Sequence, residues 1–366
     1  MGLKLENIRK NVGREVHLAD INLSLEPGSR NVLLGRTQAG KTSMLRIMAG
    51  LDRPNQGRIF VDGQDVTGVS VRKRGIAMVY QQFINYPSLT VYRNIASPLR
   101  LAGYGRDEID RRVRRTAEML RIDTLLDRLP AELSGGQQQR TAIARALVKD
   151  AKLLLLDEPL VNLDYKLREE LREELQEIFK VREAIVVYTT TEPAEALMIG
   201  GEIAVIHEGR ILQTGPTADV YHQPATPVVA EVFSDPPINF LRGNVEGSVA
   251  RIGQNLRIPL PASASGLAPG DYLFGVRASH LFLHPESDDD LRIPATVDLS
   301  EINGSETFIH VRHGEDRLVI QEDGIHSRKM GGDITVFTHP DCFYIYDAAG
   351  HLAAAPDLSS LQRRRQ

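Results

Sequence analysis

An α/β domain followed by a separate all-β domain is the fold this sequence predicts, and three observations predict it. Over residues 1–235, short apolar runs alternate with long helical patterns. Beyond a proline-rich stretch, QPATPVVAEVFSDPPINFLRG (223–243), the helical patterns stop and period-two alternation takes over. The chain has 366 residues, too many for one ordinary core, so two domains are expected.

Taken in order, NVLLG (31–35), GIAMVY (75–80), KLLLLDEP (152–159) and AIVVYTT (184–190) read as strands. Between and after them, KTSMLRIMAGL (41–51), EIDRRVRRTAEMLRI (108–122), GGQQQRTAIARALVK (135–149) and KLREELREELQEIFK (166–180) read as helices. Such alternation predicts a mostly parallel sheet with helices on both faces. LLLLD is apolar until its last residue and suits a central strand covered on both sides. In the second half, DYLFGVRASHLFL (271–283), ETFIHVRHGEDRLVIQ (306–321) and DITVFTHPDCFYIYD (333–347) alternate as short strands, joined by Gly, Asp and Pro turns. They predict a small antiparallel sandwich or barrel. The boundary is placed near 236–240, giving domains at 1–237 and 238–366. The basic run VRKR (71–74) reads as solvated surface, and RRR (363–365) as a frayed tail.

Composition narrows the function. Apolar residues make up 42% and charged residues 25%, a soluble globular balance. The net charge of −4 gives no positive field for nucleic acid. Cys342 is the single cysteine, which excludes an internal disulfide and suits a reducing compartment. MGLKLENIRK offers no apolar signal region, and no run approaches the 18 or so apolar residues of a bilayer span. A cytosolic location is expected, with any membrane connection made through a partner.

GRTQAGKT (35–42) matches G-x-x-x-x-G-K-[ST] and stands directly between an apolar strand and a helix, the context that motif requires. Backbone N–H groups from Gly35, Arg36, Thr37, Gln38, Ala39 and Gly40, with Ser43 at the helix start, would cradle phosphates. Lys41 would reach the β- and γ-phosphates and the Thr42 hydroxyl would ligate Mg²⁺. LLLLDEP (153–159) ends an apolar strand in Asp157, which places a carboxylate where phosphate-bound Mg²⁺ would sit. Glu158 beside it would polarise an attacking water. Alone, that strand end reads more simply as two solvated acids; the phosphate loop tips the balance. The pairs His280 with His284 and His310 with His313 lie in strand patterns without a carboxylate or thiol partner and read as solvated histidines.

In LSGGQQQR (133–140), Ser134 is a helix N-cap followed by Gly135, Gly136 and Gln137, a second helix start with free N–H groups. With this motif in hand the chain resembles the ATP-binding-cassette ATPases, whose signature is LSGGQ. The resemblance covers almost the whole sequence. It implies an α/β P-loop ATPase domain with a helical subdomain, then an all-β oligonucleotide-binding-like regulatory domain. It implies ATP and Mg²⁺ as cofactors, and a head-to-tail dimer in which each signature meets the partner's ATP. VYQQ (79–82) then gives Gln81 as a contact to Mg²⁺, the attacking water and the membrane subunits, while NLD (162–164) matches a dimer-contact loop. YPSLTVYRNIASPLRLAG (86–103), INFLRG (238–243), GVRASHL (275–281) and INGSET (302–307) resemble the carbohydrate-import members of the maltose, glycerol-phosphate and glycerol type. Implied partners are a second ATPase subunit, two transmembrane permease subunits and, indirectly, a periplasmic or lipid-anchored solute-binding protein. No nucleic acid is implied. The implied location is peripheral, on the cytoplasmic face of the inner membrane.

The sequence also departs from that family. Val12 stands where an aromatic stacks on adenine, a contact worth about 1–3 kcal/mol by analogy with base stacking. Gln38 replaces a glycine, Val161 a serine, and Thr191 falls at the switch histidine when YTTTEPAEA (188–196) is aligned with the family's Y-x-T-H-D-x-x-E-A. A histidine there contacts the γ-phosphate and can carry charge; threonine is neutral and shorter. A plain structural reading has Thr191 capping the helix that starts at Glu192 and Pro193. Two pairings stay open: an unlike ATPase partner that hydrolyses faster, favoured because Val12, Gln38 and Thr191 share one site, or a homodimer that works without the histidine. Rival functions are a cassette ATPase acting on nucleic acid or ribosomes, and a mainly regulatory ATP-binding module.

Overall fold

The computed structural model describes residues 2–82, 84–161, 163–180, 183–252 and 256–357. Asn162 and the RRR tail therefore lie outside the described residues. The chain divides into two compact units, Met1–Thr217 and Ala218–Gln366. The composition change at 223–243 falls inside the second unit, after its first short helix.

The first unit contains two sheets. One is antiparallel, with β1 (Leu3–Val12) between β2 (Glu15–Leu25) and β4 (Gln56–Val61), and β5 (Gln64–Asp65) at its edge. The other runs β10 (Arg210–Pro216), β9 (Glu202–His207), β3 (Arg30–Leu34), β8 (Ile185–Thr190), β7 (Leu153–Asp157) and β6 (Ile76–Val79). Its strands are parallel except β10, which pairs antiparallel with β9. β7 and β8 are buried along their whole length, as a strand covered on both faces must be. α1 (Lys41–Ala49) follows β3 and buries Met44, Leu45, Ile47 and Met48 in the core shared with Leu33, Leu155 and Val187.

Three helices, α2 (Val91–Leu101), α3 (Arg106–Met119) and α4 (Gly135–Leu147), form the expected helical insertion between β6 and β7. α5 (Tyr165–Lys180) follows β7 and α6 (Pro193–Ile199) follows β8. The buried Arg140 of α4 donates to Glu174 of α5 at 2.5 Å and to the Leu120 carbonyl at 2.9 Å. A buried charge needs such partners, and here they tie the α4 helix to α5.

The second unit starts with α7 (Thr217–His222), which spans the division, and α8 (Pro227–Val232). Its first sheet has the order β13 (Leu256–Pro259), β12 (Val249–Ile252), β11 (Asn239–Glu246), β14 (Gly270–Val276), β19 (Tyr344–Tyr346), β20 (Leu352–Ala354). Its second has β17 (Asp316–Asp323), β16 (Glu306–His313), β15 (Leu291–Asn303) and β18 (Asp333–Thr338). The paired strands within both sheets are antiparallel. Alternate residues such as Leu241, Val245, Phe274, Ile293, Ile309 and Leu318 fill one shared core.

Two readings change. Arg74 of VRKR is buried, not solvated. Its guanidinium caps the carbonyl end of α1 at Ile47 and Met48 and also reaches Val66 and Val69. DYLFGVRASHLFL is not one alternating strand: β14 stops at Val276 and a single 3₁₀ turn follows at Ala278–His280. The residue between them, Arg277, is buried against the Tyr221 ring at 3.9 Å and donates to the Phe233 and Tyr221 carbonyls.

Candidate active site

Register brings the motifs together. Leu34 pairs with Thr190, Asp157 with Thr189, and Val79 with Leu156. The loop after β3, the ends of β7 and β8, and the segment just after β6 therefore meet at one edge of the parallel sheet. This carboxyl edge is where open α/β sheets place their ligands.

The loop 35–40 is built for close approach. A Cβ on Gly35 would stand 2.3 Å from the Ile206 carbonyl oxygen, and one on Gly40 would stand 2.9 Å from the His17 carbonyl oxygen. Gly40 caps α1 at φ 109 with no side-chain hydrogen bond, so the first N–H groups of the helix face outward without a cap. Gln38 has φ 67, a left-handed backbone that costs a non-glycine residue about 1–2 kcal/mol. His17, which the sequence alone did not single out, comes within 3.3 Å of the Ser43 hydroxyl through Nδ1.

Lys41 is 4% exposed and uses its three protons on the Gly35 carbonyl at 2.7 Å, the Arg36 carbonyl at 3.0 Å and Glu158 Oε1 at 3.0 Å. Gln81 Nε2 donates to the other Glu158 oxygen at 3.2 Å. Glu158 thus occupies a Lys41 proton that an anion seated in the loop would have to share. Thr42 Oγ1 donates to Asp157 Oδ1 at 3.0 Å. Burial pushes the Asp157 carboxyl above its ordinary range, and the Thr42 and Thr189 hydroxyls partly oppose that. Thr42 and Asp157, in direct contact, offer hard oxygen donors, and Gln81 carries a third on the neighbouring segment; such donors suit Mg²⁺.

The other predicted residues sit elsewhere or differently. Val12 ends β1, half exposed, one residue before the turn at Gly13. Ser134 caps α4: its hydroxyl accepts from the Gln137 N–H at 3.4 Å, and Gln137 Oε1 accepts from the Ser134 N–H at 3.0 Å. This closes a capping box. Gly136 packs against α5, where an added Cβ would lie 2.9 Å from Leu167 Cδ1; around Gly135 nothing lies within 4 Å. No hydrogen bond among the described residues links 134–137 to Lys41, Thr42 or Asp157.

Thr191 is not the cap of α6. Glu192 holds that position, and its N–H donates to Thr190 Oγ1 at 2.9 Å. The Thr190 hydroxyl in turn donates to buried Glu195 at 2.6 Å, so a threonine earlier in the run fixes the approach to the helix, which has no side-chain cap. Thr191 stands partly exposed at the bend after β8.

With this geometry in view, comparison with known proteins is direct. A family model described as ABC transporter matches residues 18–161. YurJ of Bacillus subtilis, an uncharacterized ABC transporter ATP-binding protein, is 34% identical across 94% of this chain and 97% of its own length. The chain belongs to the ABC transporter ATP-binding family. UgpC of Escherichia coli, an sn-glycerol-3-phosphate import ATP-binding protein, is 36% identical across 87% of this chain and 90% of its own. LacK of Rhizobium radiobacter, a lactose transport ATP-binding protein, is 35% identical across 95% and 98%. Among solved structures, the dimeric ATP-binding cassette MJ0796 with ADP and Pi superposes at a TM-score of 0.53. It is 29% identical over 59% of this chain and 98% of that one. As a member of this ATPase family the protein uses ATP and Mg²⁺. No described helix is long and apolar enough to cross a membrane.

Proposed function

We propose that this chain is the energy-coupling ATPase of an importer for a small carbohydrate, a polyol or a polyol phosphate. The observation that carries the reading is the convergence of Lys41, Thr42, Asp157, Gln81 and Glu158 on one sheet edge. The substrate class rests on the relatives named for sn-glycerol-3-phosphate and lactose, which span nearly the whole chain; glycerol itself belongs to the same class. In this reading the N–H groups of 35–40 and Lys41 hold the phosphates, and Thr42, Asp157 and Gln81 hold Mg²⁺. Glu158 takes the proton of the attacking water. Ser134–Gln137 close over nucleotide held by a second ATPase subunit; open space around Gly135 supports this, since nothing among the described residues requires a glycine there. The second unit regulates, as an oligonucleotide-binding-like module from about residue 238, and the assembly sits on the cytoplasmic face of the inner membrane. Extraction in mild detergent should bring down two multi-span permease subunits; a chain that copurifies with nucleic acid or ribosomes instead sinks the import reading.

The partner ATPase is an unlike subunit in this proposal. Val12, strained Gln38 and Thr191 in place of a switch histidine all weaken one site, while Ser134–Gln137 keep the full signature. The purified chain alone should then turn over ATP slowly, and Thr191→His should raise that rate about tenfold by restoring a charged γ-phosphate contact. Intact Glu158 favours the second reading, a homodimer that works without the histidine. Brisk hydrolysis by the unmodified chain decides for it.

A further inference from the structure

Two threonines end β8 and a third follows at the bend. Thr190 accepts the Glu192 N–H and donates to Glu195. Thr189 points the other way, into the catalytic edge, and is fully buried. Its Oγ1 donates to Asp157 Oδ1 at 3.1 Å and accepts the Glu158 N–H at 2.9 Å. One hydroxyl therefore joins the side chain of the proposed metal ligand to the main chain of the proposed base.

That main chain needs holding. Glu158 has φ 43, a left-handed conformation that a glutamate adopts at a cost. Only with this backbone turn does its carboxylate lie between Lys41 Nζ and Gln81 Nε2. Asp157 Oδ1 accepts from Thr42 as well as Thr189, so removing the Thr189 hydroxyl takes away the part-buried Glu158 N–H's acceptor and leaves Asp157 with one anchor.

We propose that Thr189 is a positioning residue for hydrolysis, whose hydroxyl locks the Glu158 backbone and the Asp157 carboxylate into their working arrangement. Valine is the discriminating replacement, since it keeps the shape and removes only the hydroxyl. Serine keeps the hydroxyl and loses a methyl.

The test uses the full chain, with single-turnover hydrolysis of radiolabelled ATP so that a slow site is still readable. Thr189→Val should lower the hydrolysis rate at saturating MgATP about tenfold, while Thr189→Ser stays within about twofold of the parent. Because Thr189 acts in part through Glu158, Thr189→Val should cost less when added to Glu158→Gln than it costs the parent, leaving only the share that runs through Asp157. A readout free of turnover is the gain in fluorescent-ATP affinity on adding Mg²⁺. Thr189→Val should reduce that gain several-fold and leave Mg²⁺-free binding as in the parent, which also shows an intact fold. Parent-like hydrolysis in Thr189→Val overturns the proposal. So does a loss in Thr189→Ser as large as in Thr189→Val, which would assign the effect to packing, or losses that multiply with Glu158→Gln.

Discussion

α1 and α4 both begin with glycine-rich motifs, yet they treat their free N–H groups in opposite ways. α1 is capped by Gly40 alone, with no side chain on its first N–H groups, and Lys41 is buried beside them. α4 is closed by its own residues, Ser134 and Gln137 exchanging hydrogen bonds across the first turn. In the proposed function the first is an anion site that one chain completes. The second is exposed at Gly135, where the same proposal brings a phosphate from another subunit. Both helix starts carry the same positive dipole end; what separates them is which groups already occupy it.

The sharpest way to break this comparison is at the complete site. Glu158→Gln removes the proposed base and keeps its size and its contact with Gln81. Turnover should fall about 10²–10⁴-fold, the usual worth of a general base, while ATP binding remains. Because the neutral amide holds Lys41 less tightly than the carboxylate does, phosphate meets less competition there, and ATP affinity should rise in the same variant. A weaker affinity by equilibrium binding would show that the Lys41–Glu158 pair helps shape the loop rather than competing with nucleotide.

Gly135→Asp tests the other helix start. Within the chain nothing crowds position 135, and a carboxylate in the first turn of α4 favours the helix dipole by about 0.3–1 kcal/mol. Thermal stability should therefore hold or rise slightly, and ATP binding at Lys41 should be unchanged. The same charge repels a phosphate arriving from a partner, so turnover of the assembled ATPase should drop about a hundredfold. A variant that unfolds, or that loses its own ATP binding, would falsify the division of labour between α1 and α4.

How much of this was legible in the sequence follows from range. The loop 35–42, the strand 153–157 and the helix at 135 are local patterns, and a short window carries them whole. Thr189 was read only as part of a strand, because its role depends on parallel register with Asp157, a residue 32 positions away. Arg74 was misjudged for a related reason. A basic residue beside a strand reads as solvated unless the carbonyls that receive it are known, and those come from residues 47, 48, 66 and 69. Arg277 was read only as part of a strand, since its acceptors lie at residues 221 and 233. The start of α6 was misread by a single residue: the TTT run offers three hydroxyls, and only the fold shows that Thr190 turns toward Glu192.

The smallest effect belongs to Gln38, where the site's backbone geometry and its residue type disagree. A glutamine at φ 67 carries about 1–2 kcal/mol of strain that glycine avoids, against up to about 1 kcal/mol that glycine costs through the unfolded chain. Gln38→Gly should therefore shift stability by at most about 1 kcal/mol, read as a change of urea midpoint at constant slope. Its effect on nucleotide should exceed its effect on folding in one respect, because removing an exposed side chain from the cradle also opens room for phosphate. Tighter ATP binding with near-constant stability would place the deficit of this loop in access. Greater stability with unchanged binding would place it in strain, and would leave α1 as open to an anion with Gln38 as without it.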